Sequence, residues 1–524
     1  MPASASSLPR VSLIAGVSAP AQGTPFQVAE RTTGRILEPE FYPASSHDVE
    51  WACAAAWHAF LTYRNVSGAE RAAFLRAIAE QIEARTEAIV ERYQQETALP
   101  EARARGELGR TTGQLRLFAD IAEEGSWVDA RIDHAIPDRK PIPKPDMRSM
   151  RRPIGPVAVF GASNFALAFS VAGGDTASAL AAGCPVVAKG HPAHPGVSVL
   201  VAQAIAAAAE QTGMPAGVFS LLLDSGIEVG QALVQDRRIH AVGFTGSRQG
   251  GLALVALAQT RPTPIPVFAE MSSINPSFLL PERLKNDPEG LADTLAGSVT
   301  MGVGQFCTNP GLLIAVGDAD ALRDALQQRL SGASGGCMLT EGIRNSYRRG
   351  TEAWSVQPGV STLVEPDPNN PLAMPGFYET DAESFVNDPV LHQEVFGPAT
   401  LLVRARDAEE AMAVAEALEG QLTATFHGTE ADLSAHTELV SYLELKAGRL
   451  LVNQVPTGLE VCHATVHGGP FPATSDGRTT SVGARAIERW TRLVCWQNAP
   501  QDLLPAELRD DANQARIVDG ILKA

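Results

Sequence analysis

The 524-residue chain is predicted to be an α/β protein built around a doubly wound parallel sheet. The first observation is textural. From Val157 to Ala269 short apolar runs alternate with helical segments, as in a parallel sheet covered on both faces. The second is a further α/β region beyond Asn275, running to about Asn453. The third is a Pro-rich polar stretch, Ala135–Pro145, that leads into Met147–Arg152 and reads as an extended arm leaving the body.

Taken in order, Val11–Ala19 is apolar with only Arg10 as a nearby positive charge. It is too short for a typical signal peptide and is expected to be an opening strand. Ser46–Ala98 is expected to be helical: Trp51–Leu61 is Ala-rich, and Ala69–Thr97 repeats apolar side chains at helical spacing. Leu99-Pro100 ends that run, and Glu101–Glu124 starts another helix carrying Arg103, Arg105, Arg110 and Arg116. Expected strands follow at Val157–Phe160, Pro185–Ala188, Val218–Leu223, Ile239–Phe244 and Ile265–Ala269. Expected helices between them are Thr176–Ala182, Ser198–Gln211, Glu228–Val234 and Leu252–Ala258. The second region contributes strand Leu312–Val316, helix Asp320–Leu330, strand Ala399–Val403 and helix Ala408–Leu418. After His467–Thr474 comes a helix near Ala484–Trp490, and Thr491–Trp496 has the character of a strand that pairs with the arm, in this subunit or another.

Composition excludes several functions. A net charge of −17 argues against nucleic-acid and anionic-membrane partners. No run of about twenty apolar residues is present to span a bilayer. Six scattered cysteines without a CxxC pair suit a reducing cytoplasm and point to neither a disulfide framework nor a metal site.

The candidate chemistry centres on Met301–Pro310, MGVGQFCTNP. Gly302 and Gly304 allow close backbone approach to a ligand, and Cys307 is either a nucleophile or an inert buried thiol. After strand Ile239–Phe244 comes Thr245-Gly246-Ser247-Arg248-Gln249-Gly250-Gly251 and a helix, a loop able to face a phosphate or to be a simple turn. No G-x-G-x-x-G follows Val157–Phe160, where the chain reads GASNFA. The second strand runs into Lys189-Gly190-His191-Pro192 without an acid to hold a ribose 2′-hydroxyl, which favours NADP over NAD. Glu270 closes the strand Ile265–Ala269. There it is either a partly desolvated general base with a raised pKa or a salt-bridged or capping carboxylate. Asn164 is positioned to donate to an oxyanion or merely to form a turn.

GASNFALAF, VVAKGHPAHP, VGFTGSRQGG, FAEMSSINP, GQFCTNPG and HQEVFGP occur in that order. With them the chain resembles the aldehyde dehydrogenase superfamily from about residue 25 onward. KGHPAHP, AEMSSINP and VHGGPFPAT are most similar to its NADP-preferring α-ketoglutaric semialdehyde branch. The resemblance implies a Rossmann-type cofactor domain (1–130 and 154–273), an α/β catalytic domain (274–470) and a β oligomerisation arm with C-terminal tail (131–153 and 471–524). It implies Cys307 as nucleophile, Asn164 and the Cys307 N–H as oxyanion donors, and Glu270 as the base that activates hydrolytic water. Lys189, His191, Gly246, Ser247, Gly251, Glu394 and Phe396 would contact the cofactor, NADP with NAD possible. Arg110 would bind a substrate carboxylate, and His467 would approach the nucleophile. The presence of Glu270 favours hydrolysis over transfer to coenzyme A. The implied protein is a cytoplasmic homodimer or homotetramer that oxidises a small aldehyde. A medium- or long-chain aldehyde dehydrogenase is a same-fold alternative, and a Cys–His thioesterase using Cys307 with His463 or His467 is an alternative of another class.

Overall fold

The computed structural model describes residues 8–523. Its first sheet runs, in spatial order, Val267–Glu270, Ala241–Thr245, Val157–Phe160, Val186–Lys189 and Phe219–Leu222, all parallel. These strands are continuously apolar because helices cover both faces, so no polar alternation is needed. Chain direction across the sheet reverses between Val157–Phe160 and Ala241–Thr245. The loops leaving those two strands, Gly161–Asn164 and Thr245–Ser247, therefore part and leave a crevice at the carboxyl edge.

The expected strand Val11–Ala19 is instead a hairpin of two short strands, Leu13–Ile14 and Val17–Ser18. Ala15 and Gly16 take positive φ there (50° and 80°), which turns the chain too soon for a longer strand. The expected helix Ala69–Thr97 is two helices, Gly68–Glu83 and Thr86–Thr97, broken at Ala84–Arg85. Apolar periodicity continues across the break because both pieces pack on one core. Glu101–Glu124 forms as expected and ends on Gly125 in the left-handed region (φ 82°).

A second sheet runs Gly376–Asp381, Ala399–Ala405, Leu312–Val316, Ser277–Leu279, Gln421–His427 and Ala447–Val452, parallel throughout, with Ser361–Val364 antiparallel at its edge. Thr491–Gln497 pairs antiparallel with Met147–Pro153 within this chain, and Arg131–Asp133, Arg516–Val518 and Ile521–Lys523 complete a third sheet. Residues 471–483, grouped by sequence with the tail, pack instead around Glu270: Met271 N–H donates to Ala473 O, and Thr474 bridges Glu270. Among the described residues no helix is long and apolar enough to cross a membrane.

Candidate active site

Glu270 ends the edge strand of the first sheet, in register with Thr245 of the neighbouring strand. The chain then crosses through Met271–Pro276 into the second sheet. Asn275, at φ 49°, donates from Nδ2 to Cys307 O and Asn309 O, both at 2.9 Å. This pins the cysteine loop to the segment that follows Glu270. On the other side Gly302, Val303 and Gly304 sit in succession at φ 56°, 61° and 64°. A Cβ on Gly304 would lie 2.2 Å from the carbonyl of Gly397, so only glycine fits. A β-branched Val303 at positive φ is strained, and the flanking glycines carry the turn that forces it.

The thiol so placed is half-buried. Its Sγ lies 3.5 Å from His467 Nε2, which lies 2.9 Å from Glu270 Oε1. The Ser481 hydroxyl donates its one proton to Glu270 Oε2 at 2.6 Å, with His467 O also within reach at 2.9 Å. Donor atoms of Cys307, Glu270 and His467 lie within 4.8 Å of one another, the one group among the described residues with metal-ligand spacing. Glu270 is 3% exposed and His467 1%. Burial pushes the Glu270 carboxyl upward, but the His467 imidazole and the Ser481 hydroxyl outweigh it and hold the pKa below the usual carboxylate range. This corrects the expected upward shift. The sequence shows an apolar strand but not the polar partners that the tail brings to its end. Burial first and the Glu270 charge second hold the Cys307 thiol well above its ordinary value.

A cleft of ≈ 490 Å³ opens beside the thiol, lined by Asn164, His191, Gly246, Ser247, Glu270, Cys307, Glu394 and Phe396. Asn164 Nδ2 donates to Gln305 O at 3.0 Å, which ties the loop after the first strand to the cysteine loop. Gly246 N–H donates to Glu270 O, so this glycine offers its bare Cα face rather than an anion-binding N–H; a Cβ there would strike the Phe244 ring at 2.7 Å. Ser247 caps helix Arg248–Gln259, accepting from Gly250 N–H. Gly251, expected at the cofactor, is buried one turn inside that helix, where a Cβ would meet Met271 Sδ at 2.7 Å. It is a packing residue. Lys189 donates to Asp224 O at 3.3 Å and is not in the lining. Asp224 escaped the sequence reading because it follows the third strand, yet folding sets it beside Lys189, its Oδ2 buried without a partner. The cleft suits a dinucleotide: a bare glycine turn, a capped helix N-terminus and half-buried polar ends surround one groove.

Arg110 projects from helix Glu101–Glu124 over the rings of Phe169 (5.0 Å) and Phe165 (5.7 Å). Phe165 stands edge-on to Phe306, the neighbour of Cys307, at 5.3 Å, and Phe169 lies 6.1 Å from the His467 ring. Arg110 Nε and Nη2 are buried without hydrogen-bond partners. Arg449, missed by the sequence reading, lies on strand Ala447–Val452, whose Gly448 abuts Gly468 beside His467. Its Nη atoms hold Pro456 O and Gly458 O, and its Nε is buried without a partner. His463 is exposed and belongs to no contact with the thiol among the described residues.

Thiol, carboxylate and imidazole gathered at the carboxyl edge of a doubly wound sheet define a cysteine-nucleophile enzyme with a crevice of the dinucleotide-binding kind. Residues 18–343 match the sequence profile of the aldehyde dehydrogenase family. The chain belongs to that family. It is 53% identical to an α-ketoglutaric semialdehyde dehydrogenase 2 of Azospirillum brasilense over 93% of this chain and 94% of that one. It is 46% identical to an α-ketoglutaric semialdehyde dehydrogenase of Acinetobacter baylyi over 92% and 93%. Betaine aldehyde dehydrogenase of Staphylococcus aureus, solved with NAD+, shares the fold with TM-score 0.80 and 19% identity, over 95% of this chain and 96% of that one.

Proposed function

We propose that the chain oxidises α-ketoglutaric semialdehyde to 2-oxoglutarate with NADP. The observation that carries this reading is the pair of unpartnered guanidinium nitrogens of Arg110, held on the Phe165 and Phe169 rings that flank the thiol's surroundings. A buried guanidinium with free donors is costly unless a ligand supplies an acceptor, and a planar carboxylate matches its fork. Arg449 Nε, on strand Ala447–Val452, offers a further unpartnered donor. The Azospirillum and Acinetobacter relatives, named for a substrate with such a carboxylate, support the same choice.

Cys307 attacks the aldehyde carbon, its proton passing to the Glu270 carboxylate and on to solvent, while the His467 Nε2–H and the Ser481 hydroxyl hold that carboxylate in place. Asn164 Nδ2 exchanges its bond to Gln305 O for the oxyanion, joined by the Cys307 N–H. Nicotinamide, when bound, supplies the hydride acceptor. Loss of hydride from the thiohemiacetal leaves a thioester on Cys307, and Glu270 with His467 takes a proton from the water that hydrolyses it. His191, in the cleft wall, would meet the cofactor's 2′-phosphate, Lys189 would reach it on releasing Asp224 O, and Ser247 with the helix behind it would face the pyrophosphate. Glu394 and Phe396 would hold the nicotinamide riboside. The domain boundaries follow the three sheets, with the catalytic unit extended through residues 471–483.

The test is kcat/KM for α-ketoglutaric semialdehyde and for decanal, with NADP and NAD, in the native enzyme and in Arg110→Met. The native enzyme should prefer the semialdehyde and NADP. Arg110→Met should raise KM for the semialdehyde at least tenfold and leave decanal unchanged. Equal losses on both substrates would remove the carboxylate assignment.

A further inference from the structure

A second cleft, of ≈ 370 Å³, shares no lining residue with the catalytic one. Its walls are the connector Arg64–Arg71, the carboxyl end of helix Glu101–Glu124, the end of strand Met147–Pro153 and the tail segment Leu504–Gln514. Acidic residues outnumber basic ones 59 to 42 in this chain, yet Arg64, Arg71 and Arg152 converge here. Among the described residues none of the three is ion-paired, whereas nearby Arg76 holds both Asp120 and Glu123. Two of them spend donors on carbonyls and an amide instead: Arg71 Nη1 on Val66 O at 2.9 Å, Arg152 Nη2 on Arg64 O at 3.3 Å and Asn65 Oδ1 at 2.6 Å.

Donors are left over. Arg71 is 6% exposed and its Nε has no acceptor; Trp127 Nε1 and Gln514 Nε2, in the same walls, are also buried and unpartnered. The guanidinium of Arg71 stacks on Trp127 at 5.9 Å. Ser67, Gly68 and Ala69 line the cleft as the N-terminus of the 16-residue helix Gly68–Glu83. Three carboxylates also face it. Glu123 is engaged by Arg76, Glu124 accepts from Ser126, and Glu507 alone opposes the arginines without pairing to one. Burial foremost, with repulsion from Arg64, Arg71 and Arg492, pushes the Arg152 pKa down. Ser67 N–H is already taken by Glu70 Oε2, so cations forced together, unpaired donors and the remaining Gly68 and Ala69 N–H groups of the helix start share one need, a doubly charged acceptor.

We propose that this cleft binds a small phosphate monoester, its phosphate held by Arg64, Arg71, Arg152 and the N-terminus of helix Gly68–Glu83. The site joins the helical body to the C-terminal tail, so occupancy stabilises the docked tail by mass action.

The probe is inorganic phosphate, followed by thermal unfolding of the full chain against sodium chloride of equal ionic strength. Saturating NADP is kept present so that the cofactor cleft is filled. The native protein should show a saturable rise in Tm beyond that of chloride. Arg152→Gln and Arg64→Gln should each raise the half-saturating phosphate concentration at least tenfold and oxidise aldehyde at the native rate without phosphate. A Tm rise identical in native and variant proteins, or no rise beyond chloride, overturns the proposal. So does a variant with native phosphate response but altered sedimentation, since its arginines then serve a carboxylate of a second copy.

Discussion

His467 Nε2 lies 2.9 Å from Glu270 Oε1 and 3.5 Å from Cys307 Sγ, so its one N–H anchors the carboxylate that itself meets the thiol. General-base contacts of this kind contribute roughly 10²–10⁴ in rate. His467→Asn should therefore lower kcat by about that factor. Ser481→Ala, which removes only the hydroxyl that fixes Glu270 Oε2, should cost less. Rapid-quench measurement of hydride transfer and of acid release separates the two steps. A His467→Asn enzyme with native rates in both would sink the anchoring role.

The second prediction concerns the charge on sulfur. Burial and the Glu270 carboxylate together raise the Cys307 pKa, so the free enzyme carries a thiol at neutral pH. Inactivation by iodoacetamide, which reads the thiolate, should be slow at pH 7 and still climbing past pH 9. Glu270→Gln removes the negative neighbour and should make alkylation at pH 8 faster. A slower reaction in that variant would mean that Glu270 lowers the thiol pKa, the reverse of what the geometry implies.

Much of this arrangement is legible in the sequence, and the illegible part has a common cause. Val157–Phe160, Leu312–Val316 and Glu101–Glu124 form where their apolar periodicity sets them, because periodicity reports the local burial that shapes a strand or helix. Cys307 and Glu270 stand out because each interrupts an apolar or glycine-rich stretch with a reactive group. Ser481, Arg449 and Asp224 do not: they arrive from separate strands and loops, and nothing local marks where folding takes them. The direction of the Glu270 pKa follows from Ser481 and His467, about two hundred residues away in the chain, so no window around Glu270 contains it.

A stability prediction tests the loop that aims the thiol. Gly304→Ala meets both a positive φ and a Cβ clash with Gly397, and strained backbone of this kind costs about 1–3 kcal/mol. Thermal unfolding should show that loss together with a fall in kcat, since relief of the clash moves Cys307. Gly297→Ala is the control. It sits inside helix Pro288–Thr300 with open space at its Cβ, and a helix-interior glycine gives up about 1 kcal/mol relative to alanine. That variant should be more stable and fully active. Equal behaviour of the two variants would remove the geometric account of the loop.

The pH dependence of cofactor binding falls to Glu394. Burial raises its pKa to about 7, only partly offset by hydrogen bonds from Ser272 and the Ser273 backbone. A carboxylate that accepts from a ribose hydroxyl does so when ionised, so KM for the cofactor should rise as pH falls through about 7. Glu394→Gln, which cannot ionise, should show a flat profile at the acid-side value. Linkage gives an independent reading in the cofactor-free protein. Because the folded pKa lies above its ordinary value of 4.5, the native form's advantage is complete below 4.5 and is lost as pH climbs through about 7. The Gln variant keeps that advantage, so its Tm should overtake the native Tm between those limits and stay ahead at alkaline pH. If both KM profiles slope alike and the Tm curves run parallel, Glu394 is neither the titrating group nor the ribose acceptor.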